Sequence, residues 1–197
     1  RLRDFPGGFA EYRVQAERLY RETDCGLILN FGGAGLGDVA FLPGTALART
    51  PGIRSVEDWY MAHVLHPEYI HDVYSMQEAA SIQSLALLWE AVGSRAEAVF
   101  VSGTDFGTQR SEFMSPDMFR EFYRPHFERI NRWIHDHTTW KTFYHSCGSI
   151  RNLLDDFVGM GVDILNPVQC SATGMEPAAL KAKYGDRLVF WGGVADT

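Results

Sequence analysis

Residues 141–150 read KTFYHSCGSI. The run is rich in aromatic and β-forming residues and meets a glycine at 148, which predicts a short strand ending near Ser146. Alternation puts Phe143, His145 and Cys147 on one face and Thr142, Tyr144 and Ser146 on the other. Both faces are largely apolar, as in strands of a parallel sheet covered by helices. Working outward, GLILNFGG (26–33), EAVFVSG (97–103), VDILNPV (162–168) and RLVFWGG (187–193) read the same way.

The segments between these runs read as helices. One is predicted over 9–22 and a long one over about 66–92, with a stop at Gly93. Ser115 is a natural N-cap, Pro116 suits the first helical position, and Asp117 faces the positive end of the dipole. Pro125 should break that helix after Tyr123 and start another running to about His137. Ser149 is expected to cap a helix to Met160, and a short helix from Pro177 should end at Gly185. Strand–helix–strand repetition defines an α/β fold with right-handed crossovers. Five strands suit an open doubly wound sheet or part of a (β/α)8 barrel, and a complete barrel usually takes about 250 residues. Periodicity does not choose between them.

A chain of 197 residues, 46% hydrophobic and 22% charged, suits a single globular domain over 1–197. Its net charge of −7 argues against a nucleic-acid partner, which needs a basic face. No apolar run is long enough for a membrane span, and no signal-peptide pattern opens the chain. Three cysteines make no disulfide framework, which suggests a cytoplasmic protein with free thiols. The start without Met and the ending VFWGGVADT suggest a piece of something longer.

GGAGLG (32–37) follows a strand, but Asp38 stands where a dinucleotide fingerprint needs its third glycine. The segment DVAFLPGT then continues as loop, so 32–37 reads as a flexible βα connection. Neither a Walker loop nor a G-x-S-x-G elbow is present. His63, His66, His71, His135 and His137 read as solvated or partly buried side chains.

His145 and Cys147 carry more chemistry. They share a face at the C-terminal end of their strand, where α/β enzymes keep their sites. They read either as two zinc ligands or as a buried thiol beside a hydrogen-bonded histidine, and two ligands alone do not hold zinc. Cys170, just past the next strand, is a candidate third ligand or a plain loop thiol. Asp105, in SGTDFGTQ, reads as a catalytic acid, base or substrate anchor, or as a loop cap. Asn166 and Gln169 offer neutral hydrogen bonds to the same mouth, and Trp191 a wall. Cys25 precedes its strand and falls at the opposite end.

Taken in order, GTDFGTQ, MSPDMFREFYRPHFERI, HSCGSI, GVDILNPVQ and LKAKYGDRLVFWGG resemble the uroporphyrinogen decarboxylase superfamily. The resemblance implies a (β/α)8 TIM barrel, incomplete here, with about five strands in this chain. The His145-Ser146-Cys147 triplet is similar to the zinc-binding pair of the corrinoid-dependent branch, the methylcobalamin:coenzyme M type methyltransferases. That branch implies zinc, a corrinoid carried by a partner protein, and a small-molecule thiol acceptor. Its third zinc ligand falls beyond Thr197 unless Cys170 substitutes. The resemblance also implies an alternative activity, metal-free decarboxylation of tetrapyrrole carboxylates; a third reading, from another class, is a non-catalytic barrel that binds a corrinoid or porphyrin-like ligand.

Overall fold

Five parallel strands lie side by side in chain order, β1-β2-β3-β4-β5, with no reversal anywhere in the sheet. The computed structural model describes residues 8–31, 33–39, 42, 49 and 52–193. The strands are β1 (Ile28–Asn30), β2 (Ala98–Ser102), β3 (Lys141–His145), β4 (Ile164–Asn166) and β5 (Val189–Phe190). Helix α1 (Gly8–Glu22) precedes β1, and α2 (Val56–Leu65) with α3 (Pro67–Val92) separates β1 from β2. Helices α4 (Pro116–Phe122) and α5 (Arg124–His137) lead to β3, α6 (Leu154–Gly159) to β4, and α7 (Pro177–Tyr184) to β5. A doubly wound sheet reverses its strand order at a switch point. This sheet does not, so the arrangement is the wall of a (β/α)8 barrel carrying five of its strands.

The two faces of the wall differ. Register aligns Leu29, Val99 and Thr142, and separately Tyr144 and Leu165, on the side that meets the helices, and all of them are buried. On that side Phe106, Phe119, Tyr123, Phe127, Tyr144 and Phe157 form one aromatic cluster at centroid separations of 5.2–6.4 Å. The opposite, concave side carries Ile28 at 41%, Val189 at 56% and Trp191 at 53% exposure. The sequence pattern suggested cover on both faces. Among the described residues the helices of this chain pack the outer face, and the inner face of such a wall is filled by side chains of the barrel's own strands.

The expected signals at Ser115, Pro125 and Gly93 act as read. Ser115 accepts the Met118 N–H at 3.2 Å with Pro116 next to it, and the chain breaks at Tyr123 before α5 starts at Arg124, with Pro125 in its first turn. Helix α3 stops at Gly93, whose φ of 61° only glycine adopts without strain. Ser149 does not cap α6. Its hydroxyl donates to Thr173 O at 2.6 Å, and α6 starts at Leu154 without a side-chain cap. Helix α2 has no counterpart in the sequence reading, although Ser55 accepts the Asp58 N–H at 3.1 Å and is a regular N-cap.

The described residues of the glycine-rich connection after β1, 33–37, are pinned rather than loose. Ala34 N donates to Val101 O at 2.6 Å, Thr104 Oγ1 donates to Leu36 O at 2.9 Å, and Leu36 is fully buried. The loop expected over DVAFLPGT lies largely outside the described residues. His63 is fully buried, not partly: Nδ1 faces Trp59 O, and Nε2 meets the Tyr74 and Tyr123 hydroxyls at 3.2 Å each.

Candidate metal centre

Strand β3 delivers His145 at its last position, and Cys147 follows two residues on, on the same concave side as Phe143. Strand β2 delivers the third group. A register shift between Phe100 and Ser102 turns the chain there, so Asp105 arrives beside the β3 end. Ligand atoms of Asp105, His145 and Cys147 all lie within 4.8 Å of one another. Cys147 Sγ is 3.4 Å from His145 Nε2, and that nitrogen is 3.6 Å from Asp105 Oδ1.

Backbone contacts hold the two loops together. Cys147 N–H donates to Asp105 Oδ1 at 2.7 Å, and Phe106 N–H to Ser146 Oγ at 3.0 Å. Ser149 N–H donates to Thr108 O at 2.7 Å. Asp105 therefore serves its neighbour's loop and still faces the His–Cys pair. From β4, Asn166 Oδ1 sits 2.7 Å from His145 Nδ1, and Gln169 Oε1 accepts the Gly148 N–H at 2.8 Å. Trp191 packs edge-on against Phe143 at 5.7 Å, forming a wall of the concave side.

Burial first, and then the negative charge of Asp105, push the Cys147 thiol above its usual value. At neutral pH the sulfur accordingly keeps its proton until something positive replaces it. Cys170 does not join the group. Its thiol donates to Val168 O and Gly193 O, both at 3.3 Å. Cys25 lies before β1, as expected, and is exposed, and all three cysteines are free.

Sequence reasoning missed Tyr60, because it missed α2. Burial and then the charge of Asp105 push its phenol up to about 12, and its ring stacks on Phe113 at 6.1 Å. The capping pattern Ser55-Val-Glu-Asp58 ahead of an apolar run was the signal available for that helix.

The donor set suits zinc. One imidazole nitrogen, one thiolate sulfur and one carboxylate oxygen are all zinc ligands, and three protein ligands with an open position make a catalytic rather than a closed site. Parallel strands with such a cluster at their C-terminal ends define the class: a barrel-type α/β protein with a candidate catalytic centre in its mouth. The family follows from comparison. Residues 45–196 match the family described as uroporphyrinogen decarboxylase (URO-D), and the chain belongs to that family. Among solved structures it is similar to a methyltransferase from Methanosarcina mazei, with a TM-score of 0.59 at 15% identity. The alignment covers 92% of this chain and 46% of that one, so this chain spans about half its length. No curated protein matches the sequence. No described helix is long and apolar enough to cross a membrane.

Proposed function

We propose that the chain carries the zinc site of a methyltransferase that moves a methyl group between a corrinoid, held by a partner protein, and a thiol or other small acceptor. The observation that carries this reading is the cluster of Asp105, His145 and Cys147 at the mouth. The His-x-Cys spacing, the family and the likeness to a methyltransferase fold support it.

His145 Nε2, Cys147 Sγ and an Asp105 oxygen would hold the metal, with Cys147 giving up its proton as it binds. Bound zinc would stabilise the acceptor thiolate at neutral pH and leave it nucleophilic. The Asp105 carboxylate also fixes the Cys147 backbone, so ligand position and loop position depend on one group. Trp191 and Phe143 present an apolar wall to the substrate, and Gln169 holds the Gly148 end of the loop. Asp105 takes the third position here in preference to Cys170, whose sulfur faces two carbonyls.

Metal analysis of the purified chain, stripped with chelator and reloaded, is the test. We expect about one equivalent of zinc, as one three-ligand site requires, and its loss in His145→Ala or Cys147→Ala. A chain that carries no zinc and takes none up overturns the reading. Turnover of a tetrapyrrole carboxylate by such a metal-free chain would instead support the decarboxylase activity that names the family.

A further inference from the structure

Asn166 ends β4 and is the register partner of His145 across the sheet. Both ends of its amide are engaged. Nδ2 donates to Trp191 O at 2.9 Å, and the opposite end lies 2.7 Å from His145 Nδ1. A backbone carbonyl only accepts hydrogen bonds, so the NH2 group must face Trp191 and Oδ1 must face the histidine. Oδ1 also only accepts. The proton between Asn166 and His145 therefore sits on Nδ1.

A neutral imidazole protonated on Nδ1 has its lone pair on Nε2. Nε2 is the nitrogen that faces Cys147 Sγ at 3.4 Å and Asp105 Oδ1 at 3.6 Å. We infer that Asn166 is a positioning residue that, anchored on the Trp191 carbonyl, fixes the tautomer and ring orientation of His145 so that Nε2 presents a lone pair to the metal position. It acts through His145 and does not touch the metal. The relay crosses three adjacent strands, from the end of β5 through β4 to β3, so the geometry of the ligand is tied to the register of the wall. Orientation of a metal-binding histidine by a partner on its other nitrogen is a recurrent device. The inference rests on the zinc reading above. It changes the expected part played by Asn166, from a group offered to substrate to one committed to a ligand.

The test compares the full chain with Asn166→Ala and Asn166→Asp. Zinc affinity is measured by competition with a chromophoric chelator, and the His145 tautomer of the metal-free proteins by long-range 1H–15N NMR. We expect Asn166→Ala to weaken zinc binding about 10–100-fold and to lose the single Nδ1–H form. The carboxylate of Asn166→Asp still accepts from Nδ1–H but cannot donate to Trp191 O, so it should keep that tautomer and recover only part of the affinity. If Asn166→Ala binds zinc as the parent does and keeps the Nδ1–H tautomer, the inference is overturned and the zinc reading stands. If the parent binds no zinc, the zinc reading fails and takes this role of Asn166 with it. Should Asn166→Ala fold poorly, Asn166→Asp decides alone: loss of the Nδ1–H form in a folded variant also overturns the inference.

Discussion

Gly148 has a φ of 78°, and a Cβ there would lie 2.4 Å from the Gly107 carbonyl carbon. The obstacle is backbone from the β2 loop, which cannot swing aside as a side chain would. A Cβ on Gly107 would in turn meet Cys147 O at 2.7 Å. These two glycines let the Asp105 and Cys147 loops touch main chain to main chain. Gly148→Ala should therefore cost about 2–4 kcal/mol, from the left-handed backbone and the clash together. It should also weaken zinc uptake, because Cys147 N–H can no longer reach Asp105 unchanged. Urea denaturation and chelator competition read the two effects; an alanine variant of parental stability would show that the loops have slack. At this scale the sequence was informative about His145 and Cys147, since alternation along a strand fixes their common face. It was silent on which third group lies nearby. Asp105 and Cys170 both sit at strand ends, and only the turn in β2 and the carbonyls around Cys170 separate them.

Asp163, just ahead of β4, ties three elements together. Its carboxylate accepts from Thr142 N–H at 2.8 Å in β3 and from His135 Nε2 at 2.8 Å in α5, with Lys141 3.6 Å away. Burial alone would raise this carboxyl. The His135 and Thr142 hydrogen bonds, with the charges of His135 and Lys141, outweigh it and hold the group below its ordinary value of 3.8. A depressed carboxylate stabilises the fold above its unfolded pKa, and that contribution fades as pH falls through the lower folded value. Asp163→Asn should therefore lose about 1–2 kcal/mol at pH 7, with the gap to the parent closing below about pH 4. Chemical denaturation at several pH values checks this, and a gap that persists in acid would point to packing instead of charge. His135 lies in the last turn of α5, where the helix dipole favours a cation; its specific partner, Asp163, is 28 residues away and left no local trace in the sequence. The elements themselves were largely legible where caps and prolines punctuate them, as at Ser115, Pro125 and Gly93. Helix α6 was misplaced at its start because Ser149 is used across loops, by Thr173 and Thr108, instead of by the helix it precedes.

The choice between a barrel wall and a doubly wound sheet is a property of strand order, which hydrophobic period does not encode. Every strand segment was readable, but β-rich runs look alike in either topology until their neighbours are known. What the sheet's sidedness does to stability is now open to measurement. Leu165 and Val189 lie in adjacent strands yet face opposite ways: Leu165 is fully buried against the helices, and Val189 is 56% exposed on the concave side. If the outer layer supplies the core, truncating the two should have very different costs. Leu165→Ala should lose about 2–5 kcal/mol, as a deleted core side chain leaves a cavity among packed neighbours. Val189→Ala removes apolar surface that water already reaches, so its cost should stay below about 1 kcal/mol. Urea midpoints of the two variants, compared at a common slope, decide the matter. Equal losses would mean that Val189 is packed in this chain as tightly as Leu165.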